Sequence, residues 1–302
     1  MQDFTQHHWQ ALDKMDVESL LAAALFEDTE MHGDLTSLAL VPHNAHGSAT
    51  IVARTAGIVA GMPLVPLIVS RVDPELAWEL ALEDGAELAC GSVVGSLRGP
   101  ADSLLIAERP ILNFLVRLSG IATLTQQYVD AVQGTKASIY DTRKTTPGWR
   151  RLEKYAVTCG GGKNHRTGLF DAILIKDNHL ALGRQASKPF SPAEAVIQAK
   201  EFLHHRFDNQ PVVEIEVDTL EQLREVLPAA PDIVLLDNMS PAQITEAVGL
   251  RNSLNPAVQL EASGGITLAT VRAVAETGVE RISVGALTHS AVSLDFGLDW
   301  KE

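Results

Sequence analysis

Positively charged side chains and hydroxyl groups are concentrated in one stretch of this sequence, the eleven residues DTRKTTPGWRR from Asp141 to Arg151. Residues 141–180 hold eight lysines and arginines against four acidic residues, whereas the formal net charge of the whole chain is −14. A cationic segment in an anionic protein concentrates its field on a small region, which favours an anion-binding site. A solvated basic surface has the same composition, so both interpretations stay open at this point.

Polar residues follow the end of each of six short apolar runs in the second part of the chain. The runs cover residues 138–140, 172–175, 212–217, 232–236, 258–262 and 281–287. Helical patterns lie between the later runs, at 219–227, 240–250 and 268–278. Strands that alternate with helices predict parallel βα units. The segment is therefore either an α/β barrel, closed or open, or a doubly wound sheet.

In a barrel the C-terminal ends of the strands meet on one face, where active sites lie. The polar groups at these ends are Asp141–Lys144, Lys176–His179, Glu216, Asp237–Asn238, Ser263–Gly265 and Gly285. Glu214 and Glu216 alternate along one strand, so their side chains point to the same side. We expect these strand ends to form one site.

Glycines and acidic residues at these positions suit a phosphate ester. The Ser-Gly-Gly turn at 263–265, followed by a helix, would let backbone N–H groups approach an anion, and Gly285 would supply a second wall. Glu216 and Asp237 are oxygen ligands of the kind that Mg²⁺ takes beside substrate phosphates. Plainer explanations remain open, namely a tight turn for the glycines and ordinary ion pairs for the acids.

Cationic side chains would complete the site by binding an anionic second substrate. Arginine binds a carboxylate through two parallel hydrogen bonds, and lysine acts as a compact charge. The glycine-rich segment CGGGKNHR at 159–166 carries three such groups, although a flexible turn has the same glycines. Cys159 has a neighbouring base in His165, but we favour a buried structural thiol because nothing in the sequence would activate a nucleophile.

Composition and the N-terminal third limit the class of protein. The 302 residues are 46% hydrophobic, no apolar run is long enough for a membrane span, and MQDFTQHHWQ does not read as a signal peptide. The acidic balance argues against nucleic acid, and two cysteines without a disulfide framework favour the cytoplasm. A helix is predicted near 17–26, β structure at 48–61, 77–88 and 103–109, and a long helix from Pro110 onward.

The segment from Asp141 to His179 resembles the signature of the quinolinate phosphoribosyltransferase family. The resemblance continues in ERPILNFLVRLSGIAT, VEIEVDTLEQ, VLLDNM, LEASGGI and ISVGALTHS, and it covers nearly the whole chain. Two departures are visible. Pro110-Ile111 stands where Thr-Ala is usual, and Lys163 where His or Ala is common.

The resemblance implies a fold, a reaction and an assembly. The fold would be an N-terminal α+β sandwich domain of residues 1–112, joined by the C-terminal tail 291–302, and an open α/β barrel of residues 113–290. The reaction would transfer the phosphoribosyl group of phosphoribosyl pyrophosphate to quinolinate, with Mg²⁺ as cofactor. It would release CO₂ and pyrophosphate and give nicotinate mononucleotide for NAD biosynthesis. The protein would be a homodimer with a shared active site.

Residue roles also follow from the resemblance, by position. The two carboxylates of quinolinate would be held by Arg143, His165, Arg166 and Lys176. Side chains at the reacting centre would be Lys144, Glu216 and Asp237, the two acids also serving as metal ligands. The 5′-phosphate would be held by Ser263, Gly264, Gly265 and Gly285. Arg109 would reach into the site of the partner subunit.

Three other interpretations stay open. The first is a related phosphoribosyltransferase with another base or a role in metal homeostasis, although the full set of cations favours quinolinate. The second is a Schiff-base aldolase with Lys176 as nucleophile. The third is an anion-binding protein without catalytic activity.

Overall fold

The structure is a computed structural model that describes residues 3–12, 14–185 and 188–301. The chain divides into two compact units. The barrel unit comprises the residues up to Gln6, Gln127–Lys144 and Gly162–Ala286. The N-terminal unit comprises His7–Gln126, Thr145–Gly161 and the residues from Leu287 onward.

The described part of the chain forms eleven α-helices and fourteen strands. Up to residue 131 the elements are α1 (Lys14–Thr29), α2 (Leu35–Leu40), β1 (His46–Ala53), β2 (Gly57–Ile58), α3 (Leu64–Val72), β3 (Ala77–Leu80), β4 (Glu87–Leu88), β5 (Val93–Pro100) and α4 (Ala101–Ala131). The following elements up to residue 206 are β6 (Ser138–Tyr140), α5 (Arg150–Cys159), β7 (Ala172–Ile175), α6 (Asp177–Leu182), β8 (Arg184–Gln185), β9 (Lys188–Pro189) and α7 (Pro192–Arg206). The last elements are β10 (Val212–Val217), α8 (Leu220–Val226), β11 (Ile233–Asp237), α9 (Pro241–Leu254), β12 (Gln259–Ser263), α10 (Val271–Ala275), β13 (Arg281–Ser283), α11 (Ala286–His289) and β14 (Phe296–Trp300).

The barrel unit is built on six parallel strands in the order β6-β13-β12-β11-β10-β7. From β7 through β10, β11 and β12 to β13, each strand of this sheet pairs with the strand of the sheet that follows it in the chain. The strand order therefore lacks the reversal that defines a doubly wound sheet. Among the described residues β6 and β7 do not pair, so the barrel is open between them. The predicted open α/β barrel is confirmed, and the doubly wound alternative is excluded.

Local chemistry explains where the outer helices begin. The Ser240 hydroxyl accepts a hydrogen bond from the Gln243 N–H, and Pro241 occupies the first helical position of α9. Ser191 and Thr219 cap α7 and α8 in the same way. The helix predicted at 240–250 is confirmed, and α7 and α8 pack on β10.

The N-terminal unit contains an antiparallel sheet in the order β14-β1-β5-β3. The final strand, β14, pairs along β1 from Trp300 opposite Ala49 to Phe296 opposite Ala53. Ala49, Ile51 and Ala53 are fully buried on the central strand β1. No helix among the described residues is long and apolar enough to cross a membrane.

Two predictions about individual elements were wrong. Residues 103–109 form no strand but lie in α4, which begins at Ala101 and carries Pro110 in its interior. Leu104, Ala107 and Ile111 are buried at the spacing of a helix. The short run SLLIA fits both the helical and the strand period, so this run alone could not distinguish a helix from a strand. The helix predicted at 268–278 is confined to Val271–Ala275.

Candidate active site

The residues predicted for the site lie in the barrel unit, with one exception. We call the C-terminal ends of the six strands, with the segment that Lys163 joins to the end of β6, the mouth of the barrel. The predicted residues at the strand ends are Arg143, Lys144, Lys176, Glu216, Asp237, Ser263, Gly264, Gly265 and Gly285, and the joined segment carries His165 and Arg166. Arg109 is the exception, because it lies in the N-terminal unit, on α4, with an exposed side chain. It therefore sits inside a helix and not at the end of a strand as predicted.

Arg166 is a buried cation with incomplete hydrogen bonding. Its Nη1 donates to the Ala172 carbonyl at 3.3 Å, whereas its buried Nε has no hydrogen-bond partner among the described residues. Burial lowers the pKa of Arg166, and the neighbouring charge of Arg143 lowers it further, against the opposing charges of Glu214 and Asp171. A buried guanidinium beside a second, half-buried one makes a strong binding site for an anion.

Asp141, the first residue of the cationic stretch, anchors the segment that carries these cations. Its fully buried carboxylate accepts hydrogen bonds from the His165 N–H at 2.8 Å and from Asn164 Nδ2 at 2.7 Å. The Lys163 backbone bonds with the chain on either side of Tyr140, and Lys163 Nζ lies 5.8 Å from the centre of the Tyr140 ring. This role of Asp141 was not predicted from the sequence, although Asp141 is a lone acid in a stretch with four cations.

His165 has close neighbours at both ring nitrogens. Nδ1 accepts the backbone N–H of Arg166 at 2.8 Å. Nε2 lies 2.9 Å from Glu214 Oε2 and 3.5 Å from Glu261 Oε1. The ring of Phe4 stacks on the imidazole with 4.3 Å between centroids. The imidazole is therefore fixed within the barrel, and its neighbours Glu214 and Glu261 were not predicted as site residues.

Lys176 and Glu216 form an ion pair at the mouth, through Lys176 Nζ and Glu216 Oε2. Lys176 precedes α6, where its backbone N–H donates to His179 Nδ1 at 3.0 Å. The Lys176 side chain is 42% exposed and that of Glu216 is 14% exposed, so the pair is open to solvent from one side. A ligand that approaches the mouth reaches both charges.

The glycine turn after β12 has the backbone geometry of an anion cradle. Gly264 and Gly265 have φ angles of +96° and +61°, and a Cβ on Gly264 would collide with Asn238 Oδ1. A Cβ on Gly265 would instead meet open space. Ser263 lies opposite Asp237 in the register of β11 and β12.

Two further details define this cradle. Asn238, itself at φ +54°, donates from its backbone to the Ser263 carbonyl and from Nδ2 to Asp237 Oδ2. The expected helix does not follow the turn at once, because α10 begins only at Val271. Backbone N–H groups, and not a helix N-terminus, are thus the donors available at Gly264 and Gly265.

A second polar cluster lies inside the barrel and consists of Asp3, Tyr140, Glu261 and Arg281. Because Arg281 is the first residue of β13, we call this cluster the floor. Arg281 Nε donates to Glu261 Oε2 at 2.9 Å and Nη1 donates to Asp3 Oδ1 at 2.8 Å. The Tyr140 hydroxyl donates to Asp3 Oδ2 at 3.0 Å, and the guanidinium lies 3.7 Å from the Tyr140 ring centre. Burial opposes the charge of Arg281, but Glu261, Tyr140 and Asp3 together raise its pKa above the ordinary value.

Cys159 is a poor nucleophile. Burial, followed by the charge of Asp84, raises the pKa of its thiol to about 12. The thiolate is the reactive form of cysteine, and such a group stays protonated near neutral pH. This supports the structural interpretation of Cys159 over the nucleophilic one.

Comparisons with known proteins find relatives over nearly the whole chain. Residues 34–119 match the family model of the quinolinate phosphoribosyl transferase N-terminal domain, and residues 121–299 match that of the C-terminal domain. A Nicotiana tabacum protein named quinolinate phosphoribosyltransferase (decarboxylating) 1b is 40% identical over 298 residues, covering 94% of this chain and 82% of that protein.

Two further relatives extend the comparison. A Mycobacterium leprae protein named nicotinate-nucleotide pyrophosphorylase (carboxylating) is 43% identical over 278 residues, covering 91% of this chain and 94% of that protein. The solved structure of the nicotinate-nucleotide pyrophosphorylase from Francisella tularensis superposes with a TM-score of 0.88 at 35% identity. It covers 99% of this chain and 100% of that one.

Proposed function

Because the chain belongs to the quinolinate phosphoribosyltransferase family, we propose that it transfers the phosphoribosyl group of phosphoribosyl pyrophosphate to quinolinate with decarboxylation. The products are nicotinate mononucleotide, CO₂ and pyrophosphate, and the reaction belongs to NAD biosynthesis. The observation that carries the proposal is the buried Arg166 with its orphaned Nε beside Arg143. Such a pair needs anionic charge, and a pyridine dicarboxylate supplies it in a rigid, planar form.

We propose that quinolinate binds at the cationic part of the mouth. Arg143 and Arg166 hold one carboxylate, and Lys176 attracts the other once the ligand competes with Glu216 for its ammonium group. His165 belongs to the same cluster through its bond to the Arg166 backbone. Rigid positioning of the pyridine ring in this way places its nitrogen toward the sugar.

Phosphoribosyl pyrophosphate is proposed to bind at the glycine turn. Its 5′-phosphate would accept hydrogen bonds from Ser263, Gly264 and Gly265, with Gly285 after β13 as the second wall, since backbone N–H groups at left-handed glycines approach anions closely. The open space beside Gly265 supports this assignment. Lys144, an exposed cation next to Arg143, would contact the pyrophosphate side of the reacting carbon.

The acids of the mouth fit a Mg²⁺ ion. Glu216 and Asp237 lie on the neighbouring strands β10 and β11, are partly exposed, and offer only oxygen, which is the ligand set that Mg²⁺ takes when substrate phosphates and water complete its shell. When bound, Mg²⁺ would neutralise charge on the departing pyrophosphate. The corresponding test is chelation: turnover that persists after exhaustive removal of divalent cations would refute the assignment.

The chemistry then requires positioning more than proton transfer. The pyridine nitrogen forms a bond to the anomeric carbon as the bond to pyrophosphate breaks, through an oxocarbenium-like state that the carboxylates of Glu216 and Asp237 stabilise electrostatically. The pyridinium formed in this step withdraws electrons from the ring. The bond to the 2-carboxylate breaks, CO₂ leaves, and the ring carbon takes up a proton.

Arg166→Leu tests the proposal against a matched control. The expected loss in kcat/KM for quinolinate is about 100-fold or more, because a charged hydrogen-bond partner is worth about 1.5–3 kcal/mol and desolvation adds to this. The control is Arg272→Leu, an exposed arginine of α10 that pairs with Glu276. Both variants are assayed for nicotinate mononucleotide with all substrates and Mg²⁺. Equal activity of the two would overturn the proposed site.

The remaining interpretations make different predictions. A Schiff-base aldolase would be trapped at Lys176 by borohydride with a carbonyl substrate, but Lys176 is ion-paired and partly exposed, without the apolar enclosure that activates such lysines. An anion-binding protein would bind quinolinate yet never release pyrophosphate. Release of pyrophosphate and CO₂ in equal amounts separates the proposed reaction from both.

We propose a homodimer in which Arg109 completes the site of the partner subunit. Arg109 is exposed on α4, and the barrel unit carries the strongly exposed apolar residues Leu169 and Phe170. Beside the edge strand β7 lies an apolar cavity of about 550 Å³, lined in part by Ile173 and Phe202. An exposed apolar surface of this kind at an open barrel edge is typical of a contact with a second copy.

Mixed dimers test this assembly. Arg109→Ala and Lys144→Ala subunits are each expected to be inactive alone. In a mixed dimer one shared site lacks both groups and the other lacks neither, so activity should return to at most about half by this counting. Verified mixed dimers without any recovery would show that Arg109 does not complete the partner's site.

We also propose that the protein works in the cytoplasm. Cys90 and Cys159 are both unbridged, as expected in a reducing compartment. Cell fractionation with an antibody against the native chain would test this, and recovery in an oxidising compartment would contradict it.

A further inference from the structure

A layer of buried charge lies inside the barrel just below the proposed quinolinate site. His165, Glu214, Glu261 and Arg281 are each at most 5% exposed. Neither Glu214 oxygen has a hydrogen-bond partner of good geometry among the described residues, although Oε2 lies only 2.9 Å from His165 Nε2. Burying a carboxylate in this way costs several kcal/mol. Glu214 has no part in the reaction described above, so its position calls for an explanation.

The hydrogen bonds of His165 fix the location of its proton. The Arg166 N–H donates to Nδ1, so Nδ1 carries a lone pair and no hydrogen. The proton of the imidazole is therefore on Nε2, the atom that faces Glu214 Oε2 and, further away, Glu261 Oε1. Both ring nitrogens are engaged inside the barrel, so neither points a donor at a substrate carboxylate.

The position of this proton excludes a metal site at this cluster. One histidine and two glutamates whose ligand atoms lie within 4.8 Å of one another have the composition of a metal centre. A metal ligand must present a lone pair, and Nε2 presents a proton while Nδ1 is occupied by the backbone. The positive charge of Arg281 on Glu261 Oε2 further disfavours a cation there.

We propose that Glu214 is a positioning residue that orients His165 and, through the Nδ1 bond, the backbone and guanidinium of Arg166. The inference rests on the proposed function, because it takes Arg166 as a quinolinate ligand. Glu214 acts on Arg166 in two ways: it attracts the Nε2–H of the ring that holds the Arg166 backbone, and its charge lies near the Arg166 guanidinium. His165 thus serves the substrate through Arg166 and not by direct contact.

The third contact of the imidazole supports a positioning role. Phe4 packs against its face at 29° to the ring plane and is itself covered by Arg281, whose guanidinium lies 5.0 Å from the Phe4 ring centre. Gln6 fixes the same N-terminal segment by two hydrogen bonds with the backbone of Asn164, next to His165. The ring is therefore held at one face and at Nδ1, with the Glu214 carboxylate beside Nε2, which favours a single orientation.

The decisive experiment compares Glu214→Leu and Glu214→Gln with Glu246→Leu, an exposed glutamate of α9. Glu214→Leu removes both effects, so KM for quinolinate should rise about tenfold or more while kcat changes less than about threefold. KM for phosphoribosyl pyrophosphate should stay within about twofold. Glu214→Gln keeps an oxygen for the Nε2–H and should restore KM to within about threefold of the native value. Glu246→Leu should match the native protein throughout.

A second readout does not depend on activity. Selective ¹⁵N labelling of histidine, with His165→Gln for assignment, reports which ring nitrogen carries the proton. The native protein should show the proton on Nε2 of His165. A proton on Nδ1, or a folded Glu214→Leu variant with unchanged KM for quinolinate, would overturn the inference. Native protein that neither binds nor turns over quinolinate would instead refute the proposed function, and the NMR result would still decide the arrangement of His165.

Discussion

The mouth and the floor belong to the same barrel, yet the buried arginines of the two regions have different partners. At the floor, Arg281 is matched by Glu261 and Asp3 at 2.8–2.9 Å, and the Tyr140 ring covers it. At the mouth, Arg166 lies beside a second cation and keeps an unsatisfied Nε. At the floor the cation has two carboxylate partners, although Arg281 Nη2 and Glu261 Oε1 have no hydrogen-bond partner among the described residues, whereas at the mouth a second cation lies beside Arg166.

This difference separates structural from functional charge. A buried ion pair whose partners are all present supports the fold, and removing one partner leaves the other uncompensated. A buried cation that lies beside another cation destabilises the fold and is typical of a site that a substrate completes. Floor variants should therefore alter stability, and mouth variants should alter activity.

The largest effect is expected for Arg281→Leu at the floor. The change leaves Glu261 buried without its cation, which costs about 3–5 kcal/mol in the free energy of unfolding. Urea denaturation of the native and variant proteins measures the difference, with Arg272→Leu as the exposed control, expected within about 0.5 kcal/mol. A loss below about 1 kcal/mol for Arg281→Leu would remove the distinction between floor and mouth.

The next effect is expected for Lys176→Met at the mouth. The pair with Glu216 is partly exposed, so the free energy of unfolding should change by no more than about 1 kcal/mol. In contrast, kcat/KM for quinolinate should fall about 10- to 100-fold, because a charged partner of a substrate carboxylate is lost. Steady-state kinetics and urea denaturation on the same preparation give both numbers. A variant that unfolds easily but retains activity would place Lys176 with the structural charges.

A smaller effect is expected when the substrate is changed and the protein is not. Nicotinate has one carboxylate, so it makes fewer charged contacts with the cationic set formed by Arg143, Arg166 and Lys176. A lost charged hydrogen bond costs about 1.5–3 kcal/mol, which predicts at least a roughly tenfold preference for quinolinate in kcat/KM. Pyrophosphate release provides one assay for both acids. Equal kcat/KM values for the two acids would show that the second carboxylate of quinolinate does not contribute to recognition at the mouth.

The sequence predicted the mouth far better than the floor. Strand ends were visible because short apolar runs stop at polar residues, as in VVEIEV and in DIVLL followed by Asp237. The floor residues Glu261 and Arg281 also lie in strands, but a single charge within a short strand is more often a solvent-facing residue. Only the three-dimensional closure of the sheet brings these two residues opposite each other in β12 and β13.

Contacts between residues that are distant in the sequence could not be predicted for the same reason. Asp3 contacts Arg281 and Phe4 contacts His165, although the two residues of each pair are far apart in the sequence. No local sequence pattern predicts such contacts. The start of α4 was missed because SLLIA fits both a strand and a helix. The alternation of Glu214 and Glu216 correctly indicated a shared face, but not that one acid would be fully buried and the other would reach the mouth.

The smallest effect is expected for Asp3→Asn, which tests whether the floor depends on ionised carboxylates. Burial alone would raise the pKa of Asp3, but the hydrogen bond and charge of Arg281, with the Phe4 N–H and the Tyr140 hydroxyl, bring it below the ordinary value of 3.8. A pKa lowered by folding means that the ionised form stabilises the protein fully above the unfolded-state pKa. This contribution is lost as the pH falls through the folded-state pKa. Because the side chain is 40% exposed, solvent screening limits the contribution to about 1 kcal/mol.

The difference in unfolding free energy between native protein and Asp3→Asn should therefore be measurable at pH 7 and shrink toward pH 3. The control is Thr5→Ala, an exposed neighbour without an ionisable group, which should show no such trend. A difference that stays constant over this range would mean that Asp3 supports the floor by shape and hydrogen bonding alone.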